Sequence, residues 1–418
     1  MDTIYCKGQP DAMTLRAEPS SVAPDYARLL NVPLRRVPPV GSRLGEAQIA
    51  AIVKSGKTVV NLKPYPSRPL PDHVLEAVRR AAGEQISPPS RGLPEFLQAV
   101  AGALESELST RFEPEHNLLA TCGGMHALFL TFLALLNPGD EVLVPAPCYF
   151  LEGIVEPLGA RIVYVEMQED REYSWDLEQL ASKITPRTKC IFVNTPLNPT
   201  GRVLSEEELW SIADMADRHD VILIADESYD TLVYDGRRHK SLAAVPAAKP
   251  RTLLMRSFTK SFAMPGWRVA FVAGPAPLID ALTKALEWNA LHGAYINQVA
   301  ATAALSGPRD WLNGVAEEFQ QGRDLLCARV AGMGGLSAVM PGGGPFVFLN
   351  ISRLRAETDE VARILLEQFG VPTTPGEFLQ GPRHLRLAFG AGLDTLSDVA
   401  DRLECAIKLI GLRSDNEL

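Results

Sequence analysis

The sequence lacks long hydrophobic runs, closely spaced cysteines and an excess of positive charge. No apolar segment approaches the roughly 18 residues that cross a bilayer, so we expect no membrane partner. The six cysteines lie far apart without a CxxC pair, which favours reduced thiols in a cytoplasmic protein. The seven histidines show no metal-ligand spacing, so no metal site is expected. A formal net charge of −9 argues against a nucleic-acid partner.

The rest of the composition is that of a globular protein with an α/β pattern. The chain has 418 residues, 46% of them hydrophobic and 22% charged, which suits two or three domains. Short apolar runs without polar alternation are typical of strands buried on both faces of a largely parallel sheet. These runs occupy residues 141–144, 161–165, 190–193, 221–225, 252–255 and 268–272. Stretches with helical spacing, such as 125–136 and 205–219, separate them and predict an α/β domain with a central sheet.

The domain organisation follows from where this alternation begins and ends. Residues 1–26 are polar and aperiodic, and we interpret them as an N-terminal extension. Residues 61–299 are predicted to form a large domain. Beyond residue 300 we expect helices at 310–333, 358–369 and 397–412 and strands at 346–349 and 385–389. Residues 300–418, together with 27–60, are therefore predicted to form a smaller α+β domain.

Residues 257–268 are the most informative stretch of the sequence. Lys260 follows a predicted strand, with Ser257 and Thr259 just before it and Arg268 at the start of the next predicted strand. An isolated lysine in such a loop is usually no more than solvated. The hydroxyl groups and the guanidinium around Lys260 instead favour a phosphate site. A lysine in a partly dry pocket also has the lowered pKa that Schiff-base chemistry needs.

Four further segments place polar or glycine residues beside predicted strands. Gly123 and Gly124 stand where a strand turns into a helix, so backbone amides there can approach an anion. Asn198 lies in an Asn-Pro turn after a buried strand, and Asp226 ends the next strand, where sheet enzymes build their sites. Arg386 lies inside an apolar strand and needs an anionic partner, because burying it unpaired costs several kcal/mol. Each segment taken alone also suits a turn or a structural ion pair.

With these motifs in this order, residues 40–412 resemble the fold-type I pyridoxal-phosphate (PLP) enzymes. The resemblance is specifically to the class I and II aminotransferases related to aspartate aminotransferase. It implies a mainly parallel seven-stranded central sheet with helices on both faces, plus a smaller α+β domain. It also implies a homodimer with PLP as cofactor. The implied reaction moves an amino group between an L-amino acid and a 2-oxo acid.

The resemblance also implies a role for each residue of the site. Lys260 would hold PLP as a Schiff base and then act as general base, and Asp226 would keep the pyridine nitrogen protonated. Tyr229 joins them as a catalytic residue. The implied cofactor-binding residues are Gly123, Gly124, Met125, Tyr149, Asn198, Asp226, Tyr229, Ser257, Thr259, Lys260 and Arg268. Among these, the amides of Gly124 and Met125 would bind the phosphate, Tyr149 would stack on the ring, and Asn198 and Tyr229 would contact the phenolic oxygen. The implied substrate-binding residues are Arg386, for the α-carboxylate, Asn198 and Tyr65.

Three departures from the family pattern concern the substrate pocket. Ser87 stands where relatives carry a tyrosine that reaches the neighbouring subunit's cofactor phosphate. Lys63 and Tyr65 lie in a segment where relatives have a glycine-containing turn. His292 is interpreted either as a polar specificity residue or as a structural histidine, and no second arginine for a dicarboxylate is evident.

The same motifs leave other reactions open. Elimination or replacement, cyclisation and oxidation of an amino acid also begin with loss of the Cα proton, and any of them would suit specialised biosynthesis. Two other classes fit the sequence less well. A transcription regulator would need a basic DNA-binding domain before the fold, and the net charge of −9 argues against one. A dehydrogenase would need a GxGxxG turn, which the glycines at 332–335 and 342–344 do not form.

Overall fold

The computed structural model describes residues 41–413. The predicted extension at 1–26 lies outside the described residues, and so does the first part of the 27–60 segment. Within residues 41–413, no helix combines the length and the apolar content needed to cross a membrane.

A seven-stranded sheet forms the centre of the molecule. Its strands are β1 (Leu118–Thr121), β2 (Glu141–Ala146), β3 (Arg161–Glu166), β4 (Thr188–Asn194), β5 (Ile222–Asp226), β6 (Thr252–Ser257) and β7 (Ala270–Ala273). Their order is β1-β7-β6-β5-β4-β2-β3. The sheet is mainly parallel because only β7 runs antiparallel to its neighbours, β1 and β6. The central strands are mostly apolar and almost entirely buried, as expected of strands covered on both faces, which explains the missing polar alternation.

Helices cover this sheet and build the second domain. They are α1 (Gly41–Lys54), α2 (Asp72–Ala81), α3 (Pro94–Leu108), α4 (Pro114–Asn117), α5 (Gly124–Leu135), α6 (Glu152–Val155), α7 (Leu177–Lys183), α8 (Glu206–Arg218), α9 (Phe258–Ser261), α10 (Ala276–Ala290), α11 (Tyr295–Ser306), α12 (Val315–Ala331), α13 (Thr358–Phe369) and α14 (Leu393–Ile410). Helix α8 begins with a capping box. Ser205 accepts from the Glu208 amide, and the Glu208 carboxylate accepts from the Ser205 amide.

A small antiparallel sheet belongs to the C-terminal part. Its strands β8 (Phe346–Asn350), β9 (Thr374–Pro375) and β10 (His384–Ala388) have the order β8-β10-β9. Helices α12 and α13 pack against α14 beside this sheet. The predicted fold class, a seven-stranded α/β domain with a smaller α+β domain, is confirmed.

The described chain has two hydrophobic cores, one around each sheet, and a few residues such as Phe348 of β8 belong to the core of the other sheet. The larger core surrounds the seven-stranded sheet and includes Ala300, Ala301 and Ala304 of helix α11. The smaller core surrounds the three-stranded sheet and takes in Val60 from the N-terminal side. We therefore propose that the small domain begins after Ser306 rather than at residue 300, whereas the predicted contribution of the segment ending at residue 60 is retained.

Two predicted elements differ from the structure for backbone reasons. The strand predicted at 268–272 begins only at Ala270, because Arg268 has a left-handed backbone (φ 49°) at the end of a short 3-10 helix. The long helix predicted at 310–333 is divided at Gly314, whose φ of 73° interrupts it before α12.

Candidate active site

Three polar residues lie at the carboxyl ends of neighbouring central strands. Asn194 and Asp226 end β4 and β5 at the same register position, and Ser257 ends β6. The Asn194 side-chain amide donates to the Asp226 carbonyl over 2.8 Å. Loops that follow parallel strands converge at this edge, which is where ligands bind in open α/β sheets.

A cradle suited to an anion lies at the start of helix α5. Gly123 has a φ of 92°, and a Cβ added there would lie 2.3 Å from Nη2 of Arg268, so the guanidinium packs directly on the glycine backbone. Arg268 Nη1 lies 3.4 Å from Thr259 Oγ1, which in turn lies 3.0 Å from Ser257 Oγ. The helix amides that begin at Gly124 complete the cradle.

Met125 and the other predicted cradle residues are thus brought together in one place. Met125 occupies the first turn of α5, with its side chain exposed and its amide in the N-terminal turn that lacks helical acceptors. The arrangement supplies a guanidinium, two hydroxyl groups and free backbone amides, which is a donor set that fits a phosphate group.

Lys260 lies on the short helix α9 with its Nζ enclosed by the site. Nζ donates to the backbone oxygen of Pro64 over 2.7 Å and lies 5.2 Å from the ring centre of Tyr65 and 5.8 Å from that of Tyr229. Burial, with added repulsion from Arg386 and Arg268, lowers the pKa of Lys260 to about 7. A substantial fraction of the amine is therefore uncharged at neutral pH.

Asp226 is buried, and neutral groups satisfy its carboxylate. Oδ1 accepts from the amide and the hydroxyl of Ser228, over 3.1 and 2.5 Å, and Oδ2 accepts from the Tyr149 hydroxyl. Burial raises the pKa of Asp226, and the Ser228 and Tyr149 hydrogen bonds only partly offset it. No ion pair among the described residues includes this carboxylate.

Tyr149 and Tyr229 both lie close to Asp226. Tyr149 is buried, with its ring edge-on to Phe192 at 5.9 Å, and its hydroxyl reaches Asp226. The stacking role implied for it stays a prediction. The Asn198 side chain lies close enough to Tyr229 to act on its pKa, which places these two residues together as the resemblance implies.

Arg386 is buried between the domains without an acidic partner. Nη1 donates to Asn198 Oδ1 over 3.0 Å and Nη2 to Thr374 Oγ1 over 3.2 Å. The guanidinium lies 4.4 Å from the ring centre of Phe346, and burial lowers the pKa of Arg386 to about 10. In the described part of the chain no carboxylate forms an ion pair with it, so the anion that a buried arginine needs has to come from a ligand.

Four contacts of this site were missed at the level of sequence. Ser228 on Asp226, Thr374 and Phe346 on Arg386, and the Pro64 carbonyl on Lys260 all depend on tertiary structure. Ser228 had a local signal, since a serine two residues after a strand-end acid can turn back to it.

The departures found at Ser87 and His292 lie against each other. Ser87 Oγ is 3.0 Å from His292 Nε2, and His292 Nδ1 is 3.0 Å from the Gly293 carbonyl oxygen. Both ring nitrogens of His292 thus have a neighbour within the chain. Its role in side-chain recognition stays a prediction.

Comparison with known proteins decides the family. The model of the aminotransferase class I and II family matches residues 60–403. The chain belongs to this family. It is 32% identical over 342 residues to aspartate aminotransferase from Geobacillus stearothermophilus, covering 80% of this chain and 87% of the relative. It is 29% identical over 345 residues to aromatic-amino-acid aminotransferase 2 from Thermococcus litoralis, covering 81% and 88%.

The fold similarity is equally extensive. The solved structure of aspartate aminotransferase from Thermus thermophilus with maleate superposes with a TM-score of 0.86 at 32% identity, covering 90% of this chain and 99% of that one. The resemblance found in the sequence is therefore confirmed, and so is the predicted activity, the PLP-dependent transfer of amino groups. Class I and II aminotransferases act on amino acids and oxo acids. The elimination, cyclisation and oxidation alternatives are not favoured.

Proposed function

We propose that this aminotransferase binds PLP covalently at Lys260 and binds the α-carboxylate of its amino acid substrate at Arg386. One observation carries the proposal. A lysine with a pKa of about 7, a strand-end acid without a cation and a buried arginine without an acid all lie close to Tyr229. Each is costly to bury alone, and PLP together with an amino acid would supply the missing partner of each.

The donor set fits each part of PLP. The cradle of Ser257, Thr259, Arg268 and the first amides of α5 would hold the phosphate. Asp226 would accept from the pyridine nitrogen, and Lys260 would hold the aldehyde carbon. When bound, PLP supplies the electron sink that stabilises negative charge at the substrate Cα.

The substrate carboxylate would replace the neutral acceptors of Arg386. A guanidinium offers two parallel donors to a carboxylate, which fixes the amino acid relative to Lys260. A cavity of about 730 Å³ opens beside Arg386, and its walls are mainly apolar, including Leu62, Phe346 and Phe378. We propose that this cavity admits the amino acid.

Lys260 would also move the proton. Above a pH of about 7 its Nζ is largely uncharged and can take the proton from the substrate Cα. The Pro64 carbonyl, 2.7 Å away, orients Nζ, and the rings of Tyr65 and Tyr229 limit access of water.

A homodimer and a cytoplasmic location complete the proposal. Trp288 and Leu291 are 91% and 67% exposed, and Ile86 and Met125 are also exposed apolar residues. A second copy of the chain would cover such residues. The five cysteines in the described region are free thiols, which suits a reducing compartment.

The test is a half-reaction with a panel of amino acids that includes aspartate and phenylalanine. Protein loaded with PLP should release the 2-oxo acid and retain pyridoxamine phosphate, while Lys260→Ala should do neither. Release of ammonia, with no pyridoxamine phosphate formed, would contradict transamination.

A further inference from the structure

Ser228 contacts the Asp226 carboxylate in two ways. Its backbone N–H donates to Oδ1 over 3.1 Å, and its hydroxyl donates to the same oxygen over 2.5 Å. A Cβ added to Gly124 would lie 3.8 Å from Ser228 Oγ, so this hydroxyl lies between the acid and the start of α5. Ser228 therefore connects two parts of the proposed PLP site.

The surroundings of Asp226 make this hydroxyl important. Asp226 is only 7% exposed, and burial favours the neutral form of its carboxyl group, as does the negative charge of adjacent Glu227. The protein offers it hydroxyl and amide donors rather than a cation. A hydrogen bond to the charged form of a carboxylate stabilises that form more than a neutral pair does.

We propose that Ser228 is a positioning residue that keeps the Asp226 carboxylate ionised and aimed at the pyridine nitrogen of PLP. The inference rests on the proposed function. With Ser228 in place, Oδ1 is anchored from two sides, and the proton of the Asp226–pyridine pair stays on the ring nitrogen. Without the hydroxyl, the proton affinity of Asp226 rises and the proton moves toward the carboxylate.

Other titratable groups near Asp226 are accounted for. Tyr149 and Cys148 face it from the loop after β2, and Glu227 and Tyr229 follow it in its own loop. The neighbouring strands place Asn194 and Met255 opposite Asp226, and neither side chain titrates. Burial holds the pKa of Cys148 and of Tyr149 well above its ordinary value, so both groups stay protonated across the acid range. Lys260, whose pKa is lowered to about 7, changes charge within the tested range in the wild type and in the variants alike.

The test measures the PLP dissociation constant of the full-length protein between about pH 4 and about pH 8. This range begins near the ordinary pKa of a carboxyl group and extends above it, because burial raises the pKa of Asp226. Ser228→Ala should weaken PLP binding about tenfold and move the acid limit of binding upward by about one pH unit, since it removes one charged hydrogen bond. Ser228→Thr keeps the hydroxyl and should restore both values.

Ser241→Ala is the matched control. Ser241 is a buried serine that donates to the Glu227 carboxylate over 2.9 Å, so its loss removes a bond of the same kind from the adjacent acid. It should lower the melting temperature but leave the acid limit in place. An unmoved limit in Ser228→Ala, or an equal shift in Ser241→Ala, would overturn the inference. Failure of the wild type to bind PLP would instead overturn the proposed function.

Discussion

Asp226 and Glu227 are adjacent and both buried, but their surroundings have opposite effects. Glu227 accepts from Arg256 and His239, each over 3.0 Å, and its interactions with these two residues outweigh burial and lower the pKa of Glu227 to about 2. Asp226 accepts only from hydroxyl groups and an amide, and burial raises its pKa. The two acids therefore have different uses.

The comparison shows how a buried acid is reserved for a ligand. Glu227 is already neutralised, and Arg256 ties it to Glu107 and Asp230, so it holds the loop after β5 to the end of β6. Asp230 also accepts from Ser261, the residue after Lys260, over 2.6 Å. This cluster fixes the frame in which Asp226 and Lys260 face the site.

The largest effect on stability is expected from replacing Glu227. In Glu227→Ala, Arg256 keeps Glu107 and Asp230 but loses its buried acceptor. His239, the Ser241 hydroxyl and the Leu242 amide also lose their acceptor, so the free energy of unfolding should fall by about 3–5 kcal/mol. Denaturant unfolding monitored by circular dichroism measures this. Glu107→Ala removes a half-exposed partner of the same arginine and should cost clearly less. Equal losses would mean that Glu227 is not the centre of the cluster.

Replacing Asp226 should have the opposite result, with activity lost and stability nearly unchanged. Asp226→Asn removes the charge without orphaning a cation, so the free energy of unfolding should change by at most about 1 kcal/mol. Activity should fall by about 10²–10³-fold, because the charge facing the pyridine nitrogen is lost. Steady-state kinetics and thermal unfolding of the same preparation measure the loss of activity and the change in stability separately. A large stability loss with near-normal activity would reverse the assignment of the two acids.

Arg386 extends the comparison to the small domain, since it too lacks a partner of opposite charge. Arg386→Lys keeps the charge but not the two parallel donors, and should raise KM for the amino acid about 10–100-fold. Arg363 lines the same cavity but is already paired with Glu367 over 3.0 Å, so Arg363→Lys should leave KM unchanged. A similar KM change in both variants would argue against a carboxylate site at Arg386.

The smallest effect concerns pH. Because burial lowers the pKa of Lys260 to about 7, the uncharged amine accumulates above that pH rather than above its ordinary value of 10.5. The rate at which protein freed of PLP regains it should rise with pH and level off beyond about pH 7. A rate still rising at pH 9, about two units higher, would show an unshifted lysine.

The sequence allowed much of the site to be predicted because its residues lie at strand ends. Asp226 and Ser257 end apolar runs, and Lys260 and Arg386 are identified by their motifs. What could not be predicted are contacts between distant segments. Arg256 meets Glu227 only because β5 and β6 are neighbours.

Local backbone conformation could not be predicted from the sequence either. Arg268 is followed by an apolar run and was assigned to the strand, but its left-handed backbone directs the guanidinium to Gly123 instead. The Ser87–His292 contact joins residues 205 positions apart, and no local pattern indicates it. Whether a segment forms a helix or a strand was therefore more predictable than the direction in which an individual side chain points.

Chemical trapping of PLP tests the central claim most directly. Borohydride reduction of the PLP-loaded protein, followed by peptide mapping, should place the reduced cofactor on Lys260 alone. Lys63 is a stringent internal comparison, because it precedes Pro64, whose carbonyl contacts Lys260, and its own Nζ donates to Ser67. Label on Lys63 or on scattered surface lysines, with Lys260 unmodified, would contradict the account.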